Sequence, residues 1–281
     1  MAFKVRRISP LASVDFANPP LVETVLGVQF NPLPGLNSAH LGAFWDSIRN
    51  EWPDVTEAPA LEPQFERFGE QQEWQPMEAI RLRLDPHPDI RLRIRNAASD
   101  RMVQVQNGRF HYNWIKRDDS EYARYQRIKP EFDAMWSAFC EVISSGKRGN
   151  VVPNQWEVTY VNHIPAGELW RSPSDWSNIL KLFGRIDSTE SGLELENVAG
   201  VWRFVLPDQR GRFYLHIDRG RRSEPDGPEL MILRLTARGP ILEKGMVQEL
   251  TAGLDLGHHA IVTNFVRLTT KAAHQHWRES M

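Results

Sequence analysis

The chain has 281 residues, of which 41% are hydrophobic and 25% charged, with a formal net charge of −2; these values are close to the soluble globular average. Its apolar runs are too short for a membrane-spanning helix, and its N-terminus lacks the apolar stretch of a secretory signal. The single cysteine, Cys140, excludes an internal disulfide framework and a cysteine-based zinc site. We therefore expect a cytoplasmic protein.

The first half of the chain has the pattern of a strand, a helix, several strands and a second helix. Alternating apolar residues predict each strand, and apolar residues three or four apart predict each helix. The pair Asn107-Gly108 is a strong hairpin signal between two of the strands. The predicted elements are a strand at 22–30, a helix from Ser38 to Trp52, a loop at 53–78, strands at 80–84, 90–95, 102–106 and 110–114, and a helix at 121–145.

The second half repeats this order of elements after a joint at 146–150. Its predicted elements are a strand at 156–164, a helix beginning at Ser172 or Ser174, strands near 200–206, 212–218 and 229–237, and a helix at 257–278. Hairpins and an excess of strands indicate an α+β fold with antiparallel sheets.

The order of elements is similar to the tandem halves of the TATA-binding-protein-like fold. In that fold two units join edge to edge into one curved sheet, with the helices on one face; the likeness concerns architecture and implies no function. We therefore expect two units, at 1–148 and 149–281, packed as one globular body.

The basic side chains are mostly arginines, 27 of them against seven lysines, and they are clustered. Residues 31–75 carry eight acidic and two basic side chains, whereas residues 76–130 carry twelve basic and seven acidic ones. Successive side chains on a strand point to opposite faces, so the alternating arginines share one face of the predicted sheet. The predicted basic face consists of Arg81, Arg83, Arg91, Arg93 and Arg95 in the first half and Arg203, Arg212, Arg234 and Arg238 in the second.

Three interpretations of this basic face are open. It is a solvated face, neutralised within the chain by the acidic segment 51–73; or it binds an acidic partner protein; or it binds nucleic acid or another phosphate ligand. The net charge of −2 and the pI near 6.5 argue against non-specific nucleic-acid binding, which depends mainly on charge. Tryptophan and arginine are enriched at protein interfaces, and this favours a protein partner.

Motifs of enzyme chemistry are absent from the sequence. It contains no nucleophile elbow, phosphate-binding loop, dinucleotide fingerprint or zinc-protease motif. Cys140 lies on the apolar side of a predicted helix, and the paired histidines lack the spacing that chelates a metal from one helix face. An enzyme of unrecognised type remains an alternative, with a cleft between the halves near His163, Tyr214 and His216. No cofactor or metal is expected.

The opening strand carries a family resemblance. The start Asn18-Pro19-Pro20-Leu21-Val22-Glu23, running into an apolar strand that ends at Phe30, resembles a family of sporadically distributed bacterial proteins of unknown function. Further features that fit are Val103-Gln104-Val105-Gln106 leading to Asn113-Trp114, then Tyr122, Tyr125, Phe132, Val158 to Asn162, Asp255-Leu256-Gly257-His258-His259 and Phe265. The resemblance implies no activity, but the patchy distribution suggests a defence or toxin–antitoxin locus.

These observations together favour a non-enzymatic, cytoplasmic bacterial binding or adaptor protein. Its partner is expected to be a neighbouring gene product that contacts the basic face, and no membrane association is expected. A nucleic-acid or nucleotide binder that uses the same arginines is the first alternative.

Overall fold

The computed structural model is built around an antiparallel sheet in which nine strands are described. It describes residues 15–69, 90–117, 122–146, 149–183, 192, 194–222, 227–242 and 247–280. The strands are β1 (Asp15–Phe16), β2 (Leu21–Phe30), β3 (Asp54–Pro59), β4 (Ile90–Arg95), β5 (Arg101–Gln106), β6 (Arg109–Ile115), β7 (Pro153–Pro165), β8 (Gly200–Val205), β9 (Arg212–Arg221), β10 (Glu229–Pro240) and β11 (Glu279–Ser280). The α-helices are α1 (Ser38–Ile48), α2 (Tyr125–Ser145), α3 (Val247–Leu268) and α4 (Lys271–His276).

The strand order of the large sheet is β3-β4-β5-β6-β2-β7-β10-β9-β8. Strands β2 and β7, which open the two halves of the chain, pair with each other at the centre. Each of them also pairs with the last large-sheet strand of its own half, β6 and β10 respectively. Strands β1 and β11 form a separate two-stranded sheet. The predicted α+β class with an antiparallel sheet is confirmed.

The helices cover one face of the sheet because that face is apolar. The ring of Phe110 on β6 contacts Phe44 of α1 and Phe139 of α2, with ring centroids 6.3 and 5.4 Å apart. Helix α3 approaches β7 closely, since a Cβ added to Gly253 would lie 2.2 Å from the Trp156 ring. The opposite face of the sheet therefore carries the polar side chains of the strands.

None of the helices in the described ranges is both long enough and apolar enough to cross a bilayer.

The structure corrects the predicted loop at 53–78. Residues Asp54–Pro59 form the edge strand β3, which pairs with β4 in a regular antiparallel register. Its polar composition hid it, because an edge strand is exposed on both sides and needs little apolar surface. The predicted strand at 80–84 and its residues Arg81 and Arg83 lie outside the described residues.

Two predicted helices also differ. Where a helix was expected from Ser172 or Ser174, the chain forms only a short 3-10 helix, Pro173–Asn178, which follows Ser172 as its cap. The last helix was expected at 257–278, but α3 begins at Val247 and stops at Leu268. The hydroxyl of Thr269 donates to the Phe265 carbonyl, and Thr270 caps α4, so two threonines separate the two helices.

Candidate partner-binding face

One row of directly opposed residues crosses the large sheet from edge to edge. It runs through Thr56, Arg93, Gln104, His111, Gly27, Glu157, Arg238, Arg212 and Val205. Directly opposed residues place their side chains on the same face. This row therefore defines one continuous face opposite the helices, which we call the polar face.

All of the predicted basic-face arginines that are described belong to the polar face. Arg93, Arg212 and Arg238 stand in the row itself, and the others occupy same-face positions on β4, β8 and β10: Arg91, Arg95, Arg203 and Arg234. The two halves thus contribute arginines to the same surface.

The centre of the polar face holds a buried histidine beside a buried carboxylate. His111 Nε2 lies 3.9 Å from Glu157 Oε1, and Arg238 Nη1 donates to Glu157 Oε2 at 3.0 Å. Burial lowers the pKa of His111 to about 4, and Arg109 adds to the effect, so the ring is neutral at pH 7. Burial alone would raise the pKa of Glu157, but the groups around it, including Arg238, lower it. Glu157 is therefore an ionised partner of Arg238.

A segment of extended chain, residues 60–69, lies across the polar face, and we call it the strap. Two glutamines hold its backbone. The Leu61 N–H donates to Gln106 Oε1, and Gln106 Nε2 donates to the Leu61 carbonyl, both at 2.8 Å. Gln29 does the same with Gln64, at 3.1 and 2.6 Å. Each side-chain amide therefore supplies the donor and acceptor that a neighbouring strand would supply.

The strap ends in a buried carboxylate, that of Glu66. The Glu66 N–H donates to Gln155 Oε1 at 2.9 Å, a third glutamine contact. One carboxylate oxygen accepts from Arg238 Nε at 3.0 Å and from the Tyr214 hydroxyl at 2.6 Å, and the other accepts from Arg212. The Glu66 side chain is 4% exposed. The strap thus supplies a carboxylate to Arg212 of β9 and to Arg238 of β10.

The arginines of β4 are not neutralised in this way. Arg95 has Asp54 at 3.6 Å, but no carboxylate of the described chain lies within 4 Å of Arg91 or Arg93. Partial burial lowers the pKa of Arg91, and the neighbouring charge of Arg93 lowers it further. Within the described ranges, the buried Nε atoms of Arg91 and Arg95 have no hydrogen-bond partner. At Arg91 and Arg93, this end of the polar face therefore carries positive charge that no carboxylate among the described residues compensates.

Arg203 and Arg234 are exposed near the opposite edge of the sheet. The Arg203 guanidinium lies 5.8 Å from the centroid of the Tyr214 ring, and Arg234 stands directly opposite His216. Burial lowers the pKa of His163, with the charge of Arg234 among the further causes. The three residues predicted to form a cleft between the halves thus lie on β7 and β9 of the second half. They contribute to the polar face.

A described cavity of about 80 Å³ lies on the other side of the sheet, against α3. None of the predicted cleft residues lines it; its walls include Phe16, Leu21, Tyr160, Asn162 and Phe265.

At one wall of this cavity, the Tyr160 hydroxyl is hydrogen-bonded to His258 Nδ1 at 2.7 Å, and the His258 ring stacks on Tyr125. Burial lowers the pKa of His258 to about 4. The cavity is mainly apolar and belongs to the packing of α3.

Sequence reasoning missed the polar residues that organise the polar face. Gln29, Gln106 and Gln155 bind the strap. His111 and Glu157 form the centre of the polar face. Each of these residues occupies an alternate position in a strand whose other positions are mostly apolar. A polar residue repeated at that spacing on several strands is the signal that would have found them, because it marks a face that is covered by something other than the core.

Two findings in the described ranges concern metal binding and the chemistry of the single cysteine. These ranges contain no group of three or more histidine, cysteine or acidic side chains placed to hold a metal ion. Burial raises the pKa of the Cys140 thiol to about 12, so it is not a poised nucleophile.

Two comparisons, with protein families and with curated proteins, give no match. No protein-family model matches the chain, and no curated protein matches it. The resemblance of the Asn18-Pro19-Pro20 start therefore stays a prediction.

Proposed function

We propose that this protein is a non-enzymatic, cytoplasmic binding protein that engages an acidic surface of a partner protein through the polar face. The observation that carries the proposal is the pair Arg91 and Arg93, which stand side by side on the polar face with no carboxylate of the described chain within 4 Å. The sporadic bacterial family that the chain resembles suggests that the partner is a neighbouring gene product in a defence or toxin–antitoxin locus.

The chemistry of the arginine pair favours carboxylate ligands. Burial and the neighbouring charge of Arg93 both lower the pKa of Arg91, so the two like charges destabilise the free protein, and an incoming carboxylate relieves their repulsion. A guanidinium presents a planar fork that forms paired hydrogen bonds with a carboxylate. The strap provides an internal precedent for carboxylate binding, because Arg212 and Arg238 each donate one hydrogen bond to the Glu66 carboxylate. We expect Arg91 and Arg93 to take carboxylates of the partner.

Exposed apolar side chains favour a protein partner over nucleic acid. Val201 and Val205 of β8 are 48% and 58% exposed, and Phe65 of the strap is 54% exposed. Val205 belongs to the row that defines the polar face. Apolar side chains beside charged ones are typical of protein interfaces, whereas a phosphate ligand makes no use of them.

The strand order supports the tandem arrangement as part of this proposal. In each half the opening strand, β2 or β7, pairs with the final strand of that half, and the two opening strands pair with each other. Two units of similar order at 1–148 and 149–281, joined edge to edge as in the TATA-binding-protein-like fold, would produce this sheet. We propose that the tandem arrangement serves to build a polar face wide enough for a protein partner.

The proposal is tested by co-purifying the tagged protein with the products of its neighbouring genes and measuring the affinity of the pair. The variant Arg91→Glu with Arg93→Glu is expected to weaken binding by about 100-fold, because charge pairs at a binding interface are each worth a few kcal/mol. Arg127→Glu with Arg267→Glu is the matched control, since both arginines are exposed on the helix side. Equal affinity of both double variants, or the absence of any bound neighbour, would contradict the proposal.

The alternative function, nucleic-acid binding, is tested with the same protein. A mobility-shift titration at low salt is expected to be flat. Binding that weakens steeply with added salt would replace the protein partner by a phosphate backbone.

A further inference from the structure

We infer that the polar face is a groove for an extended acidic peptide, that the strap is its resident occupant, and that an extended acidic segment of the partner takes the strap's place. The inference rests on the proposed function, because it names the form in which the partner meets the polar face.

Two glutamines of the polar face bind the peptide backbone of the strap. Gln29 and Gln106 each donate to a carbonyl and accept from an N–H of the same strap residue, Gln64 and Leu61 respectively. A carboxamide is the side chain that offers a donor and an acceptor together. Such contacts depend on backbone conformation and not on side-chain identity. These two positions therefore fit any extended chain.

One side chain of the strap, that of Glu66, is buried in a pocket of the polar face. Glu66 is 8% exposed as a residue, whereas Glu62, Gln64 and Phe65 are exposed. Its carboxylate meets Arg212, Arg238 and Tyr214. This pocket selects a carboxylate two residues beyond the backbone held by Gln29. The ligand class is accordingly an extended peptide with a glutamate at that spacing.

The strap is attached to the polar face mainly by polar contacts. Its side chains other than Glu66 are exposed or partly exposed, and Phe68 packs beneath the Arg212 guanidinium at 4.4 Å. The strap therefore contributes polar contacts and little apolar burial. A segment held in this way is replaceable by another segment that offers the same backbone and carboxylate, while the core on the other side of the sheet stays intact.

The charge pattern decides between a partner's segment and a second copy of the strap. The strap residues 60–69 supply one buried carboxylate to two arginines and leave Arg91 and Arg93 without a partner. An exchanged strap from a second copy would bring the same single buried carboxylate. A partner segment with additional acidic residues near β4 would also supply carboxylates to Arg91 and Arg93. The structure therefore favours a partner of more acidic sequence.

The test uses the full chain and a labelled peptide of residues 58–69, which carries the strap sequence. Glu66→Arg in the protein places a cation beside Arg212 and Arg238 and is expected to expel the resident strap. This variant is expected to bind the peptide about 30-fold more tightly than the unchanged protein does, and a peptide with Glu66→Gln is expected to lose a similar factor. Glu62→Arg in the protein is the matched control, because Glu62 is exposed on the same strap and is expected to behave as the unchanged protein.

Hydrogen exchange of the unchanged protein keeps the inference testable if the Glu66→Arg variant does not fold. The amides of Leu61, Gln64 and Glu66 are expected to exchange through local opening, at least about 100-fold faster than amides at the centre of β2. Exchange of the strap only on global unfolding would overturn the inference. Equal binding of both peptides, or a stable dimer that exchanges straps, would overturn it too.

The two proposals fail in distinguishable ways. If the partner binds equally well to the unchanged protein and to Glu66→Arg, while charge reversal at Arg91 and Arg93 abolishes binding, then displacement of the strap is wrong and the proposed function stands. If the peptide binds to Glu66→Arg but no neighbouring gene product binds at all, then the groove stands and the proposed function is wrong.

Discussion

The imidazole of His111 lies directly over Gly27 and faces the carboxylate of Glu157, with Nε2 and Oε1 3.9 Å apart. The three residues are direct neighbours on β6, β2 and β7. A Cβ added to Gly27 would lie 2.7 Å from His111 Cδ2 and 3.0 Å from His111 Nε2. Glycine weakens the interior of a strand, so its presence here is explained by the close approach of the ring. The contact of His111 in the first half with Glu157 in the second half depends on this glycine.

Gly27→Ala is therefore expected to destabilise the protein, because the His111 ring has to move from its buried position beside Glu157. Overpacking of this kind costs about 1–3 kcal/mol of the free energy of unfolding. Urea denaturation followed by circular dichroism measures it. Adding His111→Ala to Gly27→Ala removes the clashing ring, so the double variant is expected to be more stable than the sum of the two single changes predicts.

Gly42→Ala is the matched control for this substitution. Gly42 lies within α1, and a Cβ added there meets no atom within 4 Å. Alanine in an unobstructed helix position is expected to stabilise the protein by about 0.5–1 kcal/mol. A destabilisation of the same size at both glycines would contradict the role assigned to the His111 ring.

Glu66→Gln is expected to loosen the strap while leaving the core intact. The change removes the charge that pairs with Arg212 and Arg238, whose side chains are 13% and 10% exposed. Loss of one partner from a buried charge pair costs several kcal/mol. Exchange of the Gln64 and Glu66 amides is therefore expected to rise by about tenfold or more. Glu62→Gln, at an exposed position of the same strap, is the control, and similar exchange in the two variants would speak against the Glu66 contact.

Acid is expected to destabilise the protein through two histidines, the buried His111 and the partly buried His258. The pKa of His111 and that of His258 are about 4 in the folded chain, against 6.5 for an ordinary histidine. Between these values the unfolded chain binds more protons than the folded one, so the free energy of unfolding falls as the pH drops from 6.5 to about 4. For the buried His111 the loss amounts to about 3 kcal/mol. Urea denaturation at several pH values measures it.

His111→Gln is the variant that isolates the first of these groups. The charged groups that act on the ring are Glu157, Arg109, Arg91 and Arg238, and the loss is expected because burial and the three arginines outweigh the carboxylate. The variant should show a shallower fall of stability between pH 6.5 and 4 than the unchanged protein. Parallel pH curves for the unchanged protein and His111→Gln would show that His111 does not titrate as described.

The sequence predicted the strands whose apolar residues alternate regularly, and it did not predict the segments that lack such a pattern. Alternation predicted β2, β4, β5 and β6 and placed Arg91, Arg93 and Arg95 on one face, because the pleat alone decides which face a strand residue occupies. The strap escaped prediction because its position depends on three glutamines brought together by long-range pairing.

The break between α3 and α4 was missed for a related reason. Thr269 and Thr270 end one helix and start the next through hydrogen bonds that no helical pattern of apolar residues reveals. The pair His111 and Glu157 was missed because it exists only where β6, β2 and β7 are aligned in register. The pattern of residues along one strand does not show which residues of other strands its side chains contact.

Cys140 is expected to resist alkylation in the folded protein. Its thiol lies on α2 and packs against the core, and burial raises its pKa to about 12 from an ordinary value near 9. Since the thiolate is the reactive form, iodoacetamide at pH 8 is expected to modify it about 1,000-fold more slowly than a free cysteine. Mass spectrometry resolves the product, and the single cysteine of the chain makes the site unambiguous. The same chain in concentrated urea is the control and should react at the ordinary rate. Rapid alkylation without denaturant would show an accessible thiolate and would reopen the case for a cysteine nucleophile.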